Sequence, residues 1–317
     1  MKIKSYLIIV FCLVVTANIC QAKKFTVGVS VWTGYPPSVQ GFKESLSHAG
    51  LQEGVNVNYI YRNAGGDKDK QVAIAKEFAD MDVDLVYSLT TSGTIIIKQY
   101  LPDTTPIVFS IVTYPEDAGL IESFDYSGNN LVGTSNYVPL TNYVDFFKKI
   151  LPASKKVAIF RRDKEPNSKI QAVNLIRLFK REGVTVIDQP ADSVESLKLI
   201  AEKIAPEVDA FITTTDTLMQ RGGEKILTDI SMAKKIPILS SNKQGIIDGS
   251  AFGPVADFYT LGKMSGQMAS RLLLEGNAPS SMSSLLQQPP VYLINKKSFE
   301  RLNLTIPDTL TQFEYAN

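Results

Sequence analysis

The chain has 317 residues, 44% of them apolar, with 33 Lys and Arg against 32 Asp and Glu. That balance excludes a nucleic-acid surface, which needs a marked basic excess, and the length suffices for two domains of ordinary size. A single histidine, His48, and two cysteines, Cys12 and Cys20, leave zinc or copper sites and Ser-His or Cys-His catalysis without their parts, so no cofactor and no metal are expected.

In chain order, residues 1–22 read as an export signal. Lys2 and Lys4 form a basic end, Tyr6 to Val15 an apolar run too short to span a bilayer, and Cys20-Gln21-Ala22 a small-x-small cleavage site. Cleavage after Ala22 removes both cysteines, so about 295 residues must hold together in an oxidising compartment without a disulfide. Without Lys2 and Lys4 the basic count is 31 (33 less two) against 32 acidic residues. A lipidation site wants small residues directly before the cysteine, whereas Asn18 and Ile19 precede Cys20; release as a soluble periplasmic protein is expected.

The next segments alternate Val- and Ile-rich runs with helical-period stretches, the pattern of parallel β-α-β units. The first half reads as strand 25–31, helix 37–49, strand 55–61, helix 68–80, strand 83–88, helix 92–100 and strand 106–111. The second reads as helix 139–150, strand 156–160, helix 167–182, strand 184–188, helix 193–204, strand 208–213, helix 217–233 and strand 236–240. A helix over 257–275, a Ser- and Pro-rich loop over 278–290 and a strand over 291–294 follow, too little for a third domain. The expected fold is α/β: two Rossmann-like lobes, each a parallel sheet flanked by helices, joined by three crossovers near 134, 254 and 285. Residues 23–134 with 255–284 form one lobe, and 135–254 with 285–317 the other. Ligands of open parallel sheets bind beyond the carboxyl ends of strands, which places 32–37, 89–94, 112–117, 135–138, 161–168, 214–218 and 241–245 at the cleft.

Several motifs fall in these loops. Thr90-Thr91-Ser92-Gly93-Thr94 opens a helix and reads either as an anion site or as an ordinary N-cap with a Gly turn. Thr213-Thr214-Thr215-Asp216-Thr217 repeats it with a carboxylate, which either meets a ligand ammonium or hydroxyl or caps the helix. Trp32, Tyr35, Tyr114 and Tyr137 place aromatic rings at predicted cleft loops, for stacking on a flat ligand or for packing. Asp67 reads as an N-cap, His48 as structural, and Arg161-Arg162-Asp163-Lys164 as a solvated edge from which Arg161 could face the cleft.

Tyr61-Arg-Asn-Ala-Gly-Gly-Asp67, Pro106-Ile-Val-Phe-Ser-Ile-Val-Thr-Tyr-Pro-Glu-Asp-Ala-Gly-Leu120, Gly133-Thr-Ser-Asn136, Glu165-Pro-Asn-Ser168, Thr215-Asp216, Ile236-Pro-Ile-Leu-Ser-Ser-Asn242, Tyr259-x-x-Gly262 and Leu293-Ile-Asn295 stand in an order that resembles a known family. From Phe25 to Asn295 the chain resembles the periplasmic binding proteins of ABC importers with the type I fold, and more narrowly the subfamily with tryptophan- and tyrosine-binding members. The resemblance implies that Thr91, Ser92 and Thr113 surround a ligand carboxylate, with Asn167, Ser168 and Asp216 approaching from the other lobe. It also leads one to expect aspartate where Tyr114, Asn136 and Asn242 stand, and asparagine where Thr217 stands. An amide cannot pair with an ammonium by charge, which favours a less cationic, planar solute over an amino acid.

The expected function is hinge closure on a small aromatic or amino-acid-like ligand, presented by a monomer to an ABC permease. The same fold could instead report its ligand to a membrane receptor kinase or cyclase. A periplasmic enzyme would need a nucleophile and base, and Asp216 among threonines is not enough. DNA-binding repressors of this fold are disfavoured, because the export signal stands where their helix-turn-helix would be.

Overall fold

The computed structural model describes residues 23–316; the signal-sequence reading of residues 1–22 lies outside them. The first strand, β1 (Phe25–Val31), is buried almost throughout because it is an inner strand of a parallel sheet covered on both faces. Helix α1 (Pro36–His48) starts on two prolines that need no N–H partner, and β2 (Val57–Asn63) follows. Helix α2 (Lys68–Asp80) is capped by Asp67, whose Oδ1 accepts from Lys70 N at 3.0 Å. Then come β3 (Leu85–Leu89), α3 (Thr91–Tyr100), β4 (Ile107–Ser110) and β5 (Leu131–Ser135).

The second set comprises α4 (Leu140–Ile150), β6 (Lys156–Arg162), α5 (Pro166–Arg181) and β7 (Thr185–Ala191). Helix α6 (Val194–Ile204) opens on a reciprocal Ser193–Ser196 capping box and leads to β8 (Ala210–Thr213). The helix expected over 217–233 is broken by a π-helical turn at Met219–Gly223, where Gly222 sits at φ 107°, before α7 (Glu224–Lys234). Next are β9 (Ile238–Leu239), α8 (Lys243–Ile247) and β10 (Phe252–Val255). The tail adds α9 (Phe258–Glu275), β11 (Leu285–Leu286), β12 (Val291–Ile294), α10 (Lys296–Leu302) and β13 (Glu314–Tyr315).

The strands form two sheets, ordered β11-β5-β4-β3-β1-β2 and β13-β12-β10-β9-β8-β6-β7. All pairs are parallel except β10 with β12. The chain passes between the sheets after β5, after β10 and after β11, giving two lobes joined by three crossovers. Two expected crossing points shift: β5 runs to Ser135, and 285–286, read as the start of the second lobe, are a strand of the first sheet. The stretch 278–290, read as a loop, thus contains β11.

Helix α9 follows the second lobe in sequence yet packs on α1 of the first. Glycines make the approach possible: a Cβ at Gly41 would lie 2.2 Å from Tyr259 O, and one at Gly262 would lie 2.1 Å from Ser38 O. Any side chain there would force the helices apart. Aromatic pairs fill the layers behind the sheets: Phe42 stacks on Tyr87 at 3.9 Å, and Phe147 meets Phe179 edge-on at 5.1 Å. Among the described residues no helix is long and apolar enough to cross a membrane.

Candidate functional site

The carboxyl ends of both sheets face each other across a narrow cavity. Tyr35, Thr90, Thr91, Ile111, Thr113 and Asn136 line it from the first lobe. Glu165, Asn167, Thr215, Asp216, Thr217 and Gln220 line it from the second. The cavity has room for little more than a single water molecule, so a larger solute enters only if the lobes part.

Three of the first-lobe residues hold unusual backbone conformations. Tyr35, Thr90 and Ile111 have φ of 65°, 73° and 57°, costly for side chains with a Cβ and most of all for β-branched ones. Such outliers persist only where surrounding structure enforces them, and they gather at ligand sites. Thr90 is held by its own N–H to Ser110 O at 3.0 Å, and its Oγ1 accepts from Gly93 N at 3.4 Å. Thr94 N is satisfied by Thr90 O, so the N–H groups of Thr91 and Ser92 are the open donors at the positive end of α3.

The second lobe contributes the opposite sign. Asp216, only 2% exposed, accepts at Oδ2 from Arg162 N (2.9 Å) and Thr214 Oγ1 (2.7 Å), and at Oδ1 from Met219 N (2.9 Å). The last of these bonds caps the following helical turn, and burial still raises its carboxyl above the usual range. Glu165 accepts at Oε2 from Thr217 N (3.2 Å) and Thr217 Oγ1 (2.9 Å). Burial, reinforced by the Asp216 charge, pushes the Glu165 carboxyl up to about 7. Arg162 bonds Thr217 Oγ1 through Nη1, while its Nε stays 3.9 Å from Glu165 Oε2. Gln171 braces the same wall, accepting from Thr215 N (2.8 Å) and donating to Ser241 Oγ (2.9 Å), and Asn167 donates its amide to Thr215 O.

Of the residues expected at the site, the cavity brings together Tyr35, Thr91, Thr113, Asn136, Asn167, Asp216 and Thr217. The others lie elsewhere, for identifiable reasons. Trp32 is packed in an apolar cluster with residues such as Ile74, Phe78 and Ile96, its Cβ 3.1 Å from where a side chain on Gly93 would begin. Ser92 is one residue beyond the lining, on α3. Ser168 is fully buried and its single hydroxyl proton is shared between the carbonyls of Arg162 and Glu165, both at 3.0 Å, which turns it into the fold. Tyr114 and Tyr137, rings 5.4 Å apart, line a neighbouring groove of about 560 Å³ with Phe124, Arg177 and Arg181, which meets the cavity at Thr113.

Asn242 opens instead on a second groove of about 620 Å³, floored by Pro36, Pro37, Met219 and Phe258. Its amide donates to Glu224 Oε2 at 2.7 Å, and Ser250 Oγ donates to Glu224 Oε1 at 2.8 Å. An aspartate at 242 would set two buried carboxylates against each other, so the asparagine matches its neighbour. Arg161, read as a possible cleft residue, pairs with Asp188 at 2.9 Å. Glu165, Thr90, Ile111, Thr215 and Gln220 were not singled out as site residues from sequence. Thr90 and Thr215 fell inside threonine-rich motifs already read as possible binding turns, and Glu165 had a signal of its own, a carboxylate directly before the Pro that opens a helix at a strand end.

A family model described as ABC transporter substrate binding protein matches residues 32–315. The chain is 25% identical over 285 residues to the tyrosine-binding protein of Clostridioides difficile, covering 89% of this chain and 82% of that one. Its fold is similar to an ABC domain from Streptococcus pneumonia in complex with L-Trp (22% identity, TM-score 0.86, 92% of this chain and 99% of that chain). It is also similar to a conserved domain protein from Vibrio cholerae (23% identity, TM-score 0.87, 93% and 100%). With the match covering nearly the whole described chain, the protein belongs to the ABC transporter substrate-binding family, and its role is to bind a solute.

Proposed function

We propose that the protein captures an aromatic amino acid in the cavity between its lobes and delivers it to an ABC permease, acting as a monomer in the periplasm after cleavage behind Ala22. One observation carries this reading: a single cavity receives helix-terminal N–H donors from one lobe and buried carboxylates from the other. A zwitterion has the matching pair of charges. Its carboxylate would meet Thr91, Ser92 and Thr113, and its ring would extend from Thr113 toward Tyr114 and Tyr137. The relative from C. difficile is named for tyrosine binding and the S. pneumonia structure holds L-Trp, which supports the same ligand class.

Entry requires a hinge motion about the three crossovers, and a ligand touching both lobes favours the closed arrangement through that double contact. The reading involves binding without turnover. A thermal-shift screen of amino acids, nucleobases and small aromatic acids tests it: a ligand at about 100 times its Kd adds roughly 2.7 kcal/mol to the folded state. Tyrosine or tryptophan should raise the melting temperature. A shift with sugars or short peptides and none with aromatic amino acids defeats the reading.

A further inference from the structure

An amino acid brings an ammonium group into the cavity, yet Tyr114, Asn136 and Asn242 offer it no charge. Asn242 is occupied by Glu224, and Tyr114 opens on the side groove. Two carboxylates remain in the lining, and their hydrogen bonding separates them. Asp216 has both oxygens committed, to three donors of its own lobe. Glu165 receives both of its bonds on Oε2, so that among the described residues Oε1 accepts none. The nearest guanidinium, that of Arg162, also stands on the Oε2 side at 3.9 Å.

Across the cavity, Asn136 is 5% exposed and its Oδ1 is buried without any partner. A buried acceptor left unmade is costly, and Asn136 lines the same narrow space as Glu165, whose Oε1 is free to accept from the opposite lobe. A hydroxyl can donate only one hydrogen bond; a primary ammonium donates three and carries the charge that a buried carboxylate lacks.

We propose that Glu165, with Asn136 opposite, receives the ammonium group of the ligand and supplies the negative charge that residues 114, 136 and 242 do not. This rests on the amino-acid reading above. Ligand discrimination then lies between an amino acid and its deaminated counterpart, and closure is completed only by a solute whose nitrogen reaches both lobes. The elevated Glu165 carboxyl agrees with this, since a bound cation is what returns a buried acid to its ionised form.

The test is calorimetric titration of wild type and Glu165→Gln at about pH 8, above the raised Glu165 carboxyl of about 7. The ligands are L-tyrosine and L-tryptophan, with 3-(4-hydroxyphenyl)propionate and indole-3-propionate as their deaminated analogues. Glu165→Gln should lose about 30-fold or more in affinity for the amino acids while its affinity for the analogues stays within about threefold, erasing the wild-type preference. Glu165→Asp keeps the charge and should keep part of that preference, which also covers the case in which the Gln variant does not fold. Equal losses for both ligand types, or an unchanged amino-acid affinity, overturn the assignment. If wild type binds neither the amino acids nor their analogues, the amino-acid reading itself fails, and this arm identifies that outcome separately.

Discussion

Two threonine-rich turns occupy equivalent places in the two lobes and work in opposite directions. Thr90-Thr91-Ser92 follows β3 and starts α3 with its first N–H groups open toward the cavity, at the expense of a strained Thr90. Thr214-Thr215-Asp216 follows β8, but the Asp216 side chain draws three donors of its own lobe onto itself, and the helix beyond it is broken at Gly222. One carboxylate thus changes a donor-presenting turn into a closed, negative one. Similar local sequence at similar topological positions does not fix the sign of what is presented; the side chain that fills the helix terminus does.

Substitutions can sharpen or break that contrast. The largest effect is expected from Trp32→Ala, which removes the apolar backing of the first turn. It should cost about 4 kcal/mol in urea unfolding, with ligand binding weakened only through stability; a ligand-specific loss in a fully folded variant would return Trp32 to the site. Asp216→Ala orphans buried donors at Arg162, Thr214 and Met219 and should cost about 3 kcal/mol, whereas Thr91→Ala should cost less than about 1 kcal/mol and act on ligand affinity. Equal destabilisation by the two would mean the turns are not opposite.

Next in size is a pH effect. The folded Glu165 carboxyl titrates near 7 against an ordinary 4.5, so the folded state holds its proton where the unfolded chain has lost it. Its contribution is therefore full below about 4.5 and is lost as pH rises through about 7, on the order of 3 kcal/mol or less. Melting curves of wild type should fall over that window relative to Glu165→Gln; parallel curves would show that Glu165 does not titrate there. The smallest change is expected from Thr90→Gly, where relief of strain offsets added chain freedom and a lost cap, for a net gain below about 1 kcal/mol in denaturant midpoint. A clear loss would mean that Thr90 holds the turn and is not held by it.

Most of the fold was legible because inner parallel strands such as 25–31 place Phe or Val at every second position with only small residues between, and because Asp67, Pro166 and Asp257 mark helix starts. Strand β5 was missed because Gly133-Thr134-Ser135 has the composition of a turn, although a parallel neighbour on each side holds it extended. Two-residue strands such as β11 and β13 carry no period at all. At the site, topology placed the loops, and the family resemblance picked out Thr91, Thr113 and Asp216 within them, with Asn136 as a departure from the family's pattern. Which way a side chain turns was not written locally: Trp32 and Ser168 stand at the expected strand ends and point into the fold. The strain at Tyr35, Thr90 and Ile111 belongs to the backbone and leaves no mark in residue type.

The glycine contact between α1 and α9 bears on the order in which the molecule can be assembled. Helix α1 belongs to the first part of the chain synthesised, yet the helix that covers it and the edge strand β11 come from residues beyond 257, after five of the seven strands of the second sheet. Contacts of such sequence separation form late, since the loop they close must be ordered first. The half that is made first is therefore the half that must wait, open on one face, until nearly all of the chain is available.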